Sequence, residues 1–144
     1  MEKIESFKVD HTKLLPGLYI SRIDKMDGFT FTTFDLRFTR PNNSMPMDTG
    51  SVHAIEHLAA TYFRNYYDKT MYFGPMGCRT GFYLLAGGKV SVDEIKPLVI
   101  DCMKFIINYS DEIVIGATEI ECGNYKDMNL EKAKYYAKEY LKWL

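Results

Sequence analysis

Leu18-Tyr-Ile-Ser-Arg-Ile-Asp24 and Phe29-Thr-Phe-Thr-Thr-Phe-Asp-Leu-Arg-Phe-Thr-Arg40 are two runs rich in β-branched and aromatic residues, with Asp27-Gly28 between them. Such runs favour strands, and Asp-Gly supplies the positive backbone angles that a tight hairpin turn requires. The spacing predicts two strands, 18–24 and 29–40. In the second, Phe34, Leu36 and Phe38 alternate with Asp35, Arg37 and Thr39, so one face is buried and Arg37 lies on the other. Phe29 and Phe31 have the opposite parity, which predicts a bulge or break near Thr33. An arginine on the polar side of a strand is most often an exposed surface charge.

Beyond the hairpin, Arg40-Pro-Asn-Asn-Ser-Met-Pro46 reads as a loop. From about Asp48 to Tyr67 apolar residues fall at three- and four-residue spacings (Val52, Ile55, Leu58, Ala59, Tyr62, Phe63, Tyr66), the pattern of a helix. Thr70-Met-Tyr-Phe73 is strand-like and leads into a turn at Gly74-Pro-Met-Gly77, and Gly81-Phe-Tyr-Leu-Leu85 follows as another strand. Ser91 and Glu94 have the spacing of a capping box for a helix running to about Tyr109. Pro97, which lacks an N–H, is expected to start that helix late or to kink it. A last helix over 129–144 is expected to bury Leu130, Ala133, Ala137, Leu141 and Leu144, with the lysines from Lys126 to Lys142 on a solvated face. Strands mixed with segregated helices make an α+β or open α/β domain, and 144 residues without repeats or linkers make one domain, 1–144.

Composition narrows the class. Lys plus Arg number 18 against 19 Asp plus Glu, a balance that leaves no electrostatic footprint for nucleic acid. The apolar runs are short and interrupted, so no membrane span is expected, and Met1-Glu-Lys-Ile-Glu-Ser6 lacks the apolar core of a signal peptide. A cytoplasmic location is the expectation. Aromatics make up 15% of the chain, a quantity that either a filled core or a subunit interface would absorb. Of the three cysteines, Cys102 sits among Ile95, Leu98, Val99 and Ile106 at helical spacing and reads as a buried hydrophobe. Cys78 and Cys122 stand in Gly-containing polar segments, where cysteines of a reducing compartment more often bind metal or react.

The stretch that carries chemistry is His53-Ala-Ile-Glu56-His57. Helical spacing stacks residues i and i+4, so two imidazoles can serve one Zn²⁺ or similar divalent ion, with Glu56 on the same side to work on a proton. The order H-x-x-E-H is that of inverted-zincin peptidases, whose third ligand is a distant Glu. Here Cys122, 65 residues beyond His57, is the candidate third ligand, and a His₂Cys set leaves a position open for substrate. Cys78, in Gly74-Pro-Met-Gly-Cys-Arg-Thr-Gly81, is either an inward-packed turn residue or a reactive thiol. In the second reading Arg79, next in sequence, favours its thiolate.

His53-Ala-Ile-Glu-His-Leu58, Gly74-Pro-Met-Gly-Cys-Arg-Thr-Gly-Phe-Tyr83 and Glu121-Cys-Gly-Asn-Tyr-Lys-Asp127 together resemble the LuxS family of S-ribosylhomocysteine lyases. The likeness extends to Glu5-Ser-Phe-Lys-Val-Asp-His11 and Phe34-Asp-Leu-Arg-Phe-Thr-Arg-Pro-Asn42, and so covers nearly the whole chain. The resemblance implies an α+β fold, one antiparallel sheet packed against helices in the manner of a metallohydrolase. It also implies a homodimer with sites at the subunit interface. It implies cleavage of the thioether of S-ribosylhomocysteine to homocysteine and 4,5-dihydroxy-2,3-pentanedione, the autoinducer-2 precursor, by carbonyl migration and β-elimination. His53, His57 and Cys122 then match the ligands of one divalent metal, Fe²⁺ in the native enzyme and often Zn²⁺ when isolated. Glu56 and Cys78 match the two acid/base residues, and Ser6, His11 and Arg37 match positions lining the substrate site. The chain departs from the family at Met128, where a His is usual, and at Ala54, where Thr is common. The missing His removes a polar candidate for tuning the metal ligands. A peptidase and a non-enzymatic metal-binding protein are the competing readings: a Cys third ligand and one small domain speak against the first. Glu56 and Cys78, which metal retention does not need, speak against the second.

Overall fold

The computed structural model describes residues 1–144, the side chain of Glu5 excepted. After a single 3₁₀ turn at Glu5–Phe7 the chain forms β1 (Gly17–Met26) and β2 (Phe29–Arg37), then the long helix α1 (Thr49–Tyr66). A second hairpin, β3 (Thr70–Pro75) and β4 (Gly81–Gly87), precedes α2 (Val92–Ile107) and α3 (Leu130–Leu141). The strands make one four-stranded antiparallel sheet in the order β1-β2-β4-β3. The fold is therefore α+β, which removes the open α/β alternative. Asp27 and Gly28, at φ 51° and 83°, close the first hairpin as their composition requires.

Strand β2 shows how the parity of its aromatics is resolved. Phe34 and Leu36 face the helices and are fully buried, while Phe31 and Phe29, odd in number, lie on the sheet's other face. The strand itself is unbroken. The predicted bulge is on its partner, between Ile20 and Arg22 of β1, directly across from Thr33 and Phe34. On the helix side a chain of rings forms the centre of the core: Phe63 lies 5.3 Å from Phe73, Phe73 5.1 Å from Phe82, and Phe82 5.0 Å from Phe38. Burying each ring is worth about 1.5–3 kcal/mol, before any edge or stacking preference.

Two helical expectations are corrected. Helix α2 begins at Val92, before Pro97, capped by Ser91 through the Glu94 N–H, and continues past Pro97 to Ile107. The missing bond is the one to the carbonyl of Asp93, and both residues are exposed, so that carbonyl is not left without solvent. In α3 the fully buried aromatic is Tyr140, which the apolar pattern passed over in favour of the half-buried Leu141 and Leu144. Its ring stacks 4.1 Å from Phe38 and its hydroxyl donates to the Gly17 carbonyl at 2.9 Å, which removes the cost of burying the oxygen. Cys102 is buried as expected, and burial pushes its thiol well above the ordinary range.

No α-helix of the described residues packs on the opposite face of the sheet, which is mixed in character. Met26, Phe29 and Tyr72 are each more than half exposed there, among Arg22, Asp24 and Thr33, and Ile4 lies by Tyr72. Aromatics thus fill the core and also spill onto this face. Among the described residues no helix is long and apolar enough to cross a membrane.

Candidate metal centre and substrate cavity

Helix α1 is started by Asp48, whose carboxylate accepts the Ser51 N–H at 3.0 Å. One turn further on, His53 and His57 stand with ring centroids 4.7 Å apart. Each ring is held by a main-chain carbonyl: Asp127 O lies 3.0 Å from His53 Nδ1, and Ile115 O lies 2.9 Å from His57 Nδ1. A carbonyl can only accept, so each Nδ1 carries a proton, and the tautomer this selects is the one whose lone pair is at Nε2, the form that binds metal. Such outer partners fix the tautomer and orientation of metal-binding imidazoles.

The segment between α2 and α3 that supplies both carbonyls also supplies Cys122. Its turn is closed by the Glu121 and Cys122 N–H groups donating to the Thr118 carbonyl. Cys122 Sγ lies 3.4 Å from His53 Nε2 and accepts the Asn124 N–H at 3.5 Å. One ligand atom each from His53, His57 and Cys122 thus fall within 4.8 Å of one another. Two aligned lone pairs and a thiol fit Zn²⁺ or Fe²⁺ and leave room for a further ligand. Glu56 Oε2 stands 4.0 Å from His57 Nε2, beside this centre. Gly116, at φ 73°, passes so close under His57 that a Cβ would lie 3.2 Å from Nδ1. Met128 is half-buried against the core, and the partners that the two imidazoles do have are main-chain carbonyls.

The remaining candidates gather elsewhere. Ser6, His11, Arg37 and Cys78 line a cavity of about 540 Å³ together with Thr80 and Tyr83. Glu56 and His53 line a separate hollow of about 290 Å³ with Thr49, Val52 and Arg79. The two share only Pro75, Met76 and Gly77 of the β3–β4 connection. A single chain therefore places the candidate metal ligands with Glu56 on one side of that connection, and Cys78 with the substrate-site candidates on the other.

Arg37 is not a surface charge. It is 2% exposed, and its Nε and Nη2 donate to the two Asp35 oxygens at 3.1 and 2.5 Å. Nη1 donates to Thr80 Oγ1 at 2.6 Å and lies 4.0 Å from Cys78 Sγ. Burial pushes the Asp35 carboxyl above its ordinary value, with Arg37 pulling against it. The guanidinium beside the thiol is thus Arg37 and not Arg79, which turns to the Glu56 side. Asp35 and Thr80, the partners of Arg37 and Cys78, are absent from the residues the sequence singles out. Asp35, two residues from Arg37 on one strand face, was open to inference, whereas nothing local marks Thr80.

Residues 4–143 match the family model for S-Ribosylhomocysteinase (LuxS). The chain is 53% identical over 144 residues to the S-ribosylhomocysteine lyase of Clostridium beijerinckii, covering 98% of this chain and 90% of that protein. It is 52% identical over 142 residues to the S-ribosylhomocysteine lyase of Finegoldia magna, with coverage of 98% and 90%. To that of Borreliella burgdorferi it is 46% identical over 147 residues, with coverage of 100% and 93%. Matches of this extent, carried by a chain whose His-His-Cys cluster converges with Glu56 beside it, place the protein in the LuxS family.

Proposed function

We propose that the protein is a metal-dependent S-ribosylhomocysteine lyase that releases homocysteine and 4,5-dihydroxy-2,3-pentanedione. The observation that carries this reading is the convergence of His53, His57 and Cys122 within 4.8 Å, with both imidazoles turned by main-chain carbonyls so that Nε2 faces the centre. The relatives' shared name supports the substrate. A divalent ion held by these three residues, Fe²⁺ in the native protein and Zn²⁺ as often isolated, supplies Lewis acidity toward the carbonyl and hydroxyl oxygens of the sugar.

The protein's own groups move the protons. A thioether carbon releases sulfur readily only when a carbonyl stands β to it, so the carbonyl must migrate from C1 to C2 and then to C3. Each shift takes a proton from one carbon and returns one to its neighbour. Glu56 and Cys78 are the bases for these transfers, an effect typically worth about 10²–10⁴-fold in rate. With the carbonyl at C3, removal of the C4 proton expels homocysteine thiolate from C5, and a proton returned to sulfur balances the step. Ser6, His11 and Arg37 line the cavity that holds the remainder of the substrate. Three of the guanidinium N–H groups are already taken by Asp35 and Thr80, so Arg37 can offer only what remains to a substrate oxygen.

Because Glu56 and Cys78 line different cavities of one chain, the working unit is a homodimer whose sites form where two chains meet. The open face of the sheet, with Phe29 69% and Met26 64% exposed, is the surface that supports such an assembly. The exposed Cys78 thiol suits the cytoplasm, where thiols stay reduced.

The test is release of free thiol from S-ribosylhomocysteine by protein loaded anaerobically with Fe²⁺, beside a chelated sample and the variants Cys78→Ala and Glu56→Gln. Metal-dependent release, lost in Cys78→Ala and largely lost in Glu56→Gln although the metal is retained, is the expected result. No release from the folded, metal-loaded protein would overturn the assignment, and full activity in Glu56→Gln would remove Glu56 from the proton transfers.

A further inference from the structure

Thr80 is 6% exposed, and its backbone is pinned: its carbonyl accepts the N–H groups of both Phe38 and Thr39, at 3.0 and 3.1 Å. Arg79, at φ 58°, turns the chain between Cys78 and Thr80, and its carbonyl is fixed by the Met47 N–H at 3.0 Å. The Thr80 hydroxyl therefore has a preset position. Two polar atoms meet it there, Arg37 Nη1 at 2.6 Å and Cys78 Sγ at 3.1 Å. A guanidinium has no acceptor, so toward Arg37 the hydroxyl oxygen must accept. Its one proton is left, and the sulfur is the described partner within reach.

We propose that Thr80 is a positioning residue that donates its hydroxyl proton to the Cys78 sulfur and so holds Cys78 as thiolate, relaying the charge of the buried Arg37–Asp35 pair to a sulfur that Arg37 does not itself closely touch. If Cys78 gave its proton to Thr80, the hydroxyl proton of a nearly buried residue would lack a partner, which is costly. A thiol that turned its own proton to solvent would accept the Thr80 proton only weakly, so the arrangement favours the thiolate, the stronger acceptor. With the sulfur as thiolate every group in the row Asp35, Arg37, Thr80, Cys78 is matched, donor to acceptor. Arg37 at 4.0 Å from the sulfur adds its field, while Thr80 makes the closer contact and sets direction. A hydrogen bond to a charged acceptor is roughly twice as strong as one between neutral groups.

This inference rests on reading Cys78 as the proton-transferring thiol, yet it can be tested without turnover. The rate of alkylation by iodoacetamide is followed against pH in metal-loaded protein, with Cys78→Ala giving the background from Cys102 and Cys122. Thr80→Val keeps the shape and removes the hydroxyl, and Thr80→Ser restores it. The expected result is an alkylation curve displaced upward by about one pH unit in Thr80→Val, with the same plateau at high pH and a return to the wild-type curve in Thr80→Ser. Thr80→Ala gives the same displacement should the valine variant fold poorly. Superimposable curves for wild type and the folded Val or Ala variant, or a Ser variant that behaves like Val, would overturn the proposal. Wild-type protein that alkylates as proposed but releases no homocysteine would instead count against the lyase reading alone.

Discussion

Gly116 offers the sharpest test of how the metal ligands are held. Its φ of 73° lies in the left-handed region, and a Cβ there would sit 3.2 Å from His57 Nδ1 and 3.5 Å from Cε1. Gly116→Ala therefore has two separable costs. The backbone cost is about 1–2 kcal/mol for an L-residue in that conformation. The second arises because the ring, or the Ile115 carbonyl that it donates to at 2.9 Å, must give way by a few tenths of an ångström. Losing such an outer partner typically weakens metal binding by about 10–100-fold. Gly88→Ala separates the two costs, since Gly88 has φ 92° but nothing within 4 Å of its would-be Cβ. Zn²⁺ affinity measured by competition with a chromophoric chelator is expected to fall at least tenfold in Gly116→Ala and to stay at the wild-type value in Gly88→Ala. Both variants should melt earlier in the metal-free form. The Co²⁺ absorption of the Gly116 variant should also change as His57 tilts. Wild-type Zn²⁺ affinity in a folded Gly116→Ala would refute the idea that the Ile115 carbonyl aims His57.

Two further outcomes follow from the same geometry. On the proposed dimer with sites between two chains, chains carrying Glu56→Gln and Cys78→Ala, each inactive alone, should regain about a quarter of wild-type thiol release when unfolded together and refolded, because half of the dimers would be mixed and each mixed dimer would have one intact site; no recovery would put both residues in one chain's site. At Asp48 burial pushes the carboxyl up, but the Ser51 hydrogen bonds and Lys132 outweigh it, so its folded value is depressed. That stabilisation is present above the ordinary carboxylate range and fades as pH falls through the depressed value. Asp48→Ala should lose about 1 kcal/mol near neutral pH in urea unfolding, a deficit that shrinks in acid.

How much of this was legible in the sequence depends on how local each feature is. The Asp27-Gly28 turn, the Ser91 cap and the period of α1 are decided within a few residues, and all stand as read. The bulge was inferred from the parity of Phe29 and Phe31 but assigned to the wrong strand, because register belongs to a pair of strands and only one was read. Tyr140 was passed over because a hydroxyl lowers an aromatic's apparent preference for the core; only the distant Gly17 carbonyl makes its burial cheap. Pro97 does not delay the start of α2, because its missing bond falls on the exposed side, a matter of which way a helix faces.

The site divides in the same way. His53, Glu56 and His57 share one face of one helix, so their grouping needed nothing beyond helical geometry. Adding Cys122 needed the tertiary fold, although its residue type and its polar, glycine-containing context pointed to it. Arg37 shows where the reading ran out. A strand arginine reads as solvated unless something covers it, and its cover comes from sequence-distant pieces: the 6–11 segment and the turn carrying Cys78 and Thr80. Arg79 was favoured as partner of Cys78 because it is adjacent in the chain, but a left-handed residue at 79 sends its side chain toward Glu56 and leaves the sulfur to Arg37 and Thr80. Sequence adjacency is a poor guide to electrostatic adjacency at a tight turn, where consecutive side chains diverge by construction. Arg37 is fixed on the sheet from β2 and Thr80 is pinned to the chain just beyond it, so the charge nearest Cys78 is held by the core, while Cys78 itself remains exposed, as the proposed role in proton transfer requires.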